Sequence, residues 1–405
     1  MITGLKRYLQ RFELYLFLRE AMASLAYTKK QFYGGVVSIK FNGQARGNVL
    51  ISYANQGLIL MRRGLPVPTS HEQYWKTIAM AQTFIDLGYN VDVIHTQNQQ
   101  FIPWKRYDVV VDTRFNLQRL SPYLDQECIK ILHCDTAHIV FHNAAEMNRI
   151  LALQERKGMT IPPSRFERPN LGVEHADYIT TCGNEFTMRT YRYAKKPIYG
   201  LPITVDVRWT WPEEKDFEQC RTRFLWFASR GMVHKGLDLV LDAFVDLPEY
   251  QLAIVGPVES EPEFVRLYQR ELYHQPNIKL IGWLDKEEQD FKRLLDQSVG
   301  HIFTSCSESG AACVLETMGA GVIPIVNYES SVDVDDFGVL LKGASIEDIR
   351  EGIRTIATMP AVELKRRARK AWEKVQSSYT RDNFAQSYET LIKGILAKHG
   401  KIMQA

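Results

Sequence analysis

The sequence predicts an α/β protein built from two doubly wound, parallel-sheet domains. At 405 residues the chain exceeds what one hydrophobic core ordinarily serves. Short apolar runs alternate with amphipathic stretches twice over, from Asn48 to Cys182 and again from Phe224 to Ala357. Such alternation is the signature of strand–helix–strand units, with helices on both faces of a parallel sheet. Between the two series, Leu201–Cys220 breaks the pattern with Pro202, Pro212, Trp209, Trp211 and the run Glu213-Glu214-Lys215-Asp216, which reads as a linker. The expected organisation is an extension over 1–45, a first domain over 46–205, a linker over 206–221 and a second domain over 222–380. A last helix, 381–397, would be able to pack back on the first domain.

In the extension, Leu5, Leu9, Phe12, Leu16 and Phe17 recur at helical spacing among Lys6, Arg7, Arg11 and Arg19. A basic amphipathic helix of this kind either lies on an anionic membrane surface, here through residues 1–30, or packs on the body of the protein. The first series reads as strand Asn48–Tyr53, a long loop over 56–70 holding Gly57, Gly64, Pro66 and Pro68, and helix His71–Leu87 with Ser70 as N-cap. Gly88 ends that helix. Strands Val91–Ile94, Val109–Asp112 and Ile129–His133, helix Asn143–Lys157 and strand Tyr178–Cys182 follow. The second series reads as strand Phe224–Ala228, helix Leu237–Asp246, strand Leu252–Gly256, helix Glu263–Tyr273, strand Ile278–Ile281, helix Glu287–Asp296 and strand His301–Phe303. A helix after Glu308, strand Val322–Val326, helix Ile346–Ala357 and the terminal helix complete it. Ligands of such sheets bind beyond the carboxyl ends of the strands, so two facing sheets imply a cleft.

Composition narrows the function classes. Apolar content of 45%, charged content of 24% and a net charge of +3 describe a globular protein with no broad affinity for nucleic acid. The six cysteines show neither tight pairing nor metal-ligand spacing, and with no secretory signal they read as reduced thiols of a cytoplasmic protein. No apolar run approaches the ~20 residues of a membrane-spanning helix.

Chemistry concentrates in two stretches. In Phe303–Val326 an apolar run ends in Ser305-Cys306-Ser307, the carboxylate Glu308 follows, then a small-residue turn, then a helix bearing Glu316 eight residues after the first acid. A strand-to-helix turn presents backbone N–H groups to an anion. Carboxylates before and after it suit hydroxyls on both sides of a diphosphate, the layout of a sugar nucleotide. In Phe224–Phe244 a buried strand runs into a loop with Arg230 and Lys235, and a helix begins near Gly236. Two cations there suit a diphosphate and would stabilise charge on a leaving phosphate. Alone, this pair would read as a solvated basic loop.

Arg230-x4-Lys235-Gly236 followed by Glu308-x7-Glu316 resembles the retaining glycosyltransferases of family four, which have the GT-B fold of two Rossmann-like domains. The likeness covers about Phe224 to Val326 well and the N-terminal half loosely, through Ala176–Thr181 and Ile198–Asp206. It implies that Arg230 and Lys235 hold the donor diphosphate, Glu316 the ribose hydroxyls and Glu308 the donor sugar. Backbone N–H groups of Gly310, Ala311 and Ala312 would approach sugar and phosphate, and the turn at Gly282-Trp283 would border the base. The donor would be a UDP- or GDP-sugar, and no metal or other cofactor is expected. The family's Glu-Gly-Phe-Gly is Glu308-Ser309-Gly310-Ala311 here, which narrows the loop beside the sugar.

His133, His138 and His142 fall within ten residues, with Asp135. The resemblance makes His133 the first candidate for a histidine near donor sugar and acceptor, and His138 the second. A zinc site is the alternative, although Cys134 has no second cysteine to complete a ligand set. Ser70 and His71, in the loop that shapes the acceptor side, are acceptor candidates, with Arg149 and Glu185. The expected function is hexosyl transfer to a glycan or lipid-linked acceptor, in the cytoplasm or at the inner face of the membrane. The competing readings are another GT-B enzyme, a nucleotide-sugar 2-epimerase or a phosphorylase, and a non-catalytic scaffold.

Overall fold

The computed structural model describes residues 35–68, 71–286 and 288–402. The expected N-terminal helix and Ser70 lie outside the described residues. Two compact units divide at Leu132/His133.

In the first unit, β1 (Val36–Ile39), β2 (Asn48–Tyr53), β3 (Asn90–His95), β4 (Val109–Asp112) and β5 (Ile129–Cys134) run in the order β1-β3-β2-β4-β5. All neighbours are parallel except β1, which pairs antiparallel with β3 through Val36↔Ile94 to Ile39↔Val91. Val49, Leu50, Ile51, Val109, Val110 and Val111 are fully buried, which is why these strands read as continuous apolar runs. The loop expected over 56–70 contains a helix, α1 (Gln56–Arg62), whose Gly57 lies against Tyr74 of α2 (Glu72–Asp86). His71 stands at the N-cap of α2 without a side-chain cap. After β4, the buried carboxylate of Asp112 accepts the N–H groups of Asn116 and Leu117 at 2.8 and 2.7 Å, starting α3 (Asn116–Leu120).

The second unit opens with α4 (Ile139–Lys157), which begins one turn before its expected start and ends at Gly158 in the left-handed region. β6 (Tyr178–Thr181), α5 (Glu185–Tyr191), begun by the Asn184 side chain, and β7 (Ile198–Gly200) follow. A six-stranded, fully parallel sheet then forms from β8 (Arg223–Phe227), β9 (Gln251–Val255), β10 (Ile278–Gly282), β11 (Gly300–Phe303), β12 (Ile323–Val326) and β13 (Val339–Leu340). Its order is β10-β9-β8-β11-β12-β13. Leu225, Phe227, Val255, Phe291, Leu295, Ala320 and Val322 form one core cluster.

The intervening helices are α6 (Leu237–Val245), α7 (Pro262–Leu267), α8 (Gln269–His274), α9 (Gln289–Asp296), α10 (Ala312–Met318) and α11 (Ile346–Ala357). The single helix expected over Glu263–Tyr273 is two, divided at Tyr268, whose fully buried ring stacks on Phe264 and donates its hydroxyl to Asp242 at 3.2 Å. α12 (Ala361–Ser378), which was not expected, buries the stripe Leu364, Ala368, Ala371 and Val375. α13 (Arg381–Lys398) brings Phe384 edge-on to His133, with ring centroids 6.4 Å apart. No helix among the described residues is long and apolar enough to cross a membrane.

Candidate active site

The strand order of the second sheet reverses between β8 and β11, so the loops leaving their carboxyl ends diverge and open a crevice. One loop is Ala228–Gly236 and the other Thr304–Ala311. Gly236, with φ +78°, starts α6 and is pressed to the second loop: a Cβ there would lie 2.2 Å from Thr304 Oγ1 and 2.5 Å from Thr304 O. Only glycine allows this approach. It sets Lys235 beside Glu308, and the two side chains form a nearly buried ion pair, to which Ser305 adds a hydroxyl donated to the same carboxylate oxygen at 2.7 Å. Burial alone would raise the Glu308 carboxyl; the Lys235 ammonium outweighs it, with help from Arg165, and holds it down at about 2.

Arg230 is exposed at the mouth of the first loop and makes no hydrogen bond or ion pair among the described residues. The loop's shape comes from Glu261, whose carboxylate accepts the N–H groups of Gly231 at 2.6 Å and Met232 at 3.1 Å. Glu316 on α10 is ion-paired to Lys286. Gly310 has φ +83°, and a Cβ there would meet Ile203 at 2.4 Å, so this glycine too is required by its backbone and its neighbour. The N–H groups of Gly310, Ala311 and Ala312 donate to no acceptor among the described residues. Gly282, at the end of β10, also has positive φ, and Trp283 after it is 61% exposed. The structure therefore brings Lys235 and Glu308 into contact and places Arg230, Glu316, Gly310 and Ala311 on loops and helices at the same end of one sheet. Sequence reasoning missed Lys286 and Glu261, because no spacing ties them to the acids and N–H groups they meet.

The histidines separate. His133, on β5, is fully buried; its Nδ1 is 2.8 Å from Thr180 Oγ1 and its Nε2 4.0 Å from Cys182 Sγ. It belongs to the packing beneath Phe384 rather than to an open surface. His138 is half-buried at the start of α4, its Nε2 3.0 Å from Tyr193 OH, which in turn donates to Glu174. Burial lowers its pKa, and the Glu174 carboxylate partly opposes the shift. His142 packs on His234, with ring centroids 4.7 Å apart. Arg149 donates to Thr304 O at 3.1 Å, while Glu185 pairs with Arg192 on the surface. His71, also exposed, lies on Tyr74.

Residues 210–375 match the family model described as Glycosyl transferases group 1. Among solved structures the chain is similar to a sucrose-phosphate synthase from Thermosynechococcus elongatus, at 13% identity and TM-score 0.61, over 87% of this chain and 99% of the other. A glycosyltransferase from Rickettsia africae gives 13% identity and TM-score 0.56 over 87% and 99%. Anabaena HepE, solved in complex with UDP-glucose, gives 11% and 0.51 over 87% and 100%. No curated protein matches the chain. The structural likenesses are of fold, GT-B, and residues 210–375 carry the likeness to glycosyl transferases of group 1.

Proposed function

We propose that the chain is a retaining glycosyltransferase that moves a hexosyl unit from a UDP- or GDP-sugar to a hydroxyl of a glycan or lipid-linked acceptor. The observation that carries this reading is the Lys235–Glu308 pair at the switch point of the sheet, with the exposed Arg230 on the same loop as Lys235. A cation beside a carboxylate offers one group to a diphosphate and one to sugar hydroxyls. That HepE was solved with UDP-glucose supports a nucleotide-sugar donor.

In the reaction, the bond from the anomeric carbon to the diphosphate breaks with its electron pair leaving on the phosphate oxygen. Arg230 and Lys235 offset the charge that develops there, in place of a metal ion. The acceptor oxygen attacks the same face, and its proton passes to the departing phosphate oxygen. Glu308 orients the sugar and Glu316 the ribose. Residues 222–380 would carry the donor and residues 46–205 the acceptor, with residues 1–30 a membrane contact on the cytoplasmic side.

The test is calorimetric binding of UDP-, GDP-, ADP- and CMP-sugars to the full chain, Arg230→Ala and Glu316→Ala. Binding of one nucleotide class, lost in both variants, is expected. Binding that both variants retain unchanged defeats the assignment. A product with the donor epimerised and no acceptor consumed would make the enzyme an epimerase. Liposome co-sedimentation with and without residues 1–30 tests the membrane contact.

A further inference from the structure

His142 and Glu146 stand one turn apart on α4 and share a face. His234, from the loop that carries Lys235, meets them there. All three are at most 2% exposed, and one ligand atom from each lies within 4.8 Å of the others. The tautomers follow from hydrogen bonds. His142 Nε2 is 2.8 Å from Arg165 O, and His234 Nε2 is 2.9 Å from Ser307 O. A carbonyl only accepts, so both Nε2 atoms carry a proton; the Nδ1 lone pairs face the Ser307 hydroxyl at 3.2 Å, for His142, and the Cys306 thiol at 3.4 Å, for His234, two contacts that an ion would displace. Fixing an imidazole by its second nitrogen on a backbone carbonyl is how metal-binding histidines are oriented. With one proton each, on Nε2, both rings are neutral.

Glu146 supplies the independent observation. Its Oε1 accepts the N–H groups of Ser164 and Arg165 at 2.9 and 2.8 Å, while its Oε2 is buried with no hydrogen-bond partner. A buried carboxylate oxygen left without a partner is costly.

We propose that His142, Glu146 and His234 bind one divalent transition-metal ion, zinc by the nature of the donors. Two imidazole nitrogens and one carboxylate oxygen are a zinc-type set, with a fourth position left for water. The carboxylate brings negative charge to an ion that the neutral rings do not repel. Cys306 Sγ, 3.4 Å from His234 Nδ1, stands beside that position. A cavity of about 630 Å³, lined by Ala145, Arg149 and Cys306 among others, comes as near as Cys306, and none of the three proposed ligands lines it. The ion would fasten α4 to the loop bearing Lys235 and has no part in the transfer step, so the site stands or falls independently of the proposed reaction.

The experiment strips the full chain with a chelator, adds Co2+ and reads visible absorption together with metal content after buffer exchange. The expected result is about one ion per chain with the intense bands of a four-coordinate site. Glu146→Gln keeps a carbonyl oxygen for Ser164 and Arg165, and should weaken Co2+ binding at least ~10-fold. His142→Gln, on the same helix face, should do likewise and covers the case in which the first variant fails to fold. Zn2+ should raise the denaturation midpoint of the wild type and not of either variant. Failure of the wild type to retain metal, or retention equal in wild type and both variants, overturns the proposal and leaves a water molecule as the partner of Glu146.

Discussion

Lys235 and Glu308 neutralise each other inside the switch-point crevice, with Ser305 hydrogen-bonded to the shared oxygen. Removing one partner leaves the other buried and uncompensated. Lys235→Met should therefore cost about 3–5 kcal/mol of stability, as for other broken buried pairs. Urea denaturation measures it.

The same pair sets an acid limb. The Glu308 carboxyl lies at about 2 in the folded protein against an ordinary 4.5. A depressed carboxylate stabilises fully above its unfolded pKa and loses that contribution as pH falls through its folded value. The stability difference between wild type and Glu308→Gln should hold above pH 4.5 and shrink as pH falls from 4.5 toward 2. A constant difference across that window would contradict the pairing.

Buried histidines act earlier in an acid titration. Burial lowers His301 to about 3 and His95 to about 4, from 6.5. His301 Nε2 accepts the Phe227 N–H at 3.2 Å and its Nδ1 meets Thr317, so protonation would break the contact with Phe227. The unfolded chain binds these protons first, and stability should fall as pH drops below 6.5. Urea midpoints across that range would show it, with net proton uptake on unfolding; a flat profile would refute it.

Arg230 separates function from stability. Being exposed and without an ion pair among the described residues, it should leave the urea midpoint within about 0.5 kcal/mol of wild type when changed to Ala. Turnover should drop at least ~100-fold if its charge acts on the leaving phosphate. Steady-state kinetics beside the denaturation curve decide between the two effects.

Gly236→Ala should do the reverse and act through the backbone. Its φ of +78° and the 2.2 Å approach to Thr304 Oγ1 leave no room for a methyl group, and a loss of about 2 kcal/mol or more is expected. Because Thr304 O is also within 2.5 Å, Thr304→Gly should not restore it, which a denaturation series on the double variant would check.

The strands were legible because parallel sheets are buried on both faces: Val109–Asp112 reads off the sequence with its observed bounds. Lys235 and Glu308 were legible as separate site candidates because each follows a buried strand, and their contact with one another was not. What escaped was structure without an apolar signal. β1 and β13 are short edges, and α12 buries mainly alanines and single aliphatics among six Lys and Arg whose charge masks its stripe. Glu261 and Lys286 escaped because they act across loops from distant sequence. His133 shows the opposite difficulty: a polar residue at the end of a strand reads as a site, yet Thr180 satisfies it inside the core.

The second unit is joined end to end. Phe384 lies against His133, His399 Nε2 is 3.0 Å from Tyr178 OH, and Val205 donates its N–H to Tyr379 O at 3.1 Å. During synthesis residues 133–205 emerge long before the helix that completes their packing. They stay partly unburied until Phe384 and His399 have left the ribosome, while the sheet from Arg223 onward assembles around its own local contacts. Chain termination shortly before Thr380 would leave the earlier segment without the contacts that Phe384 and His399 supply.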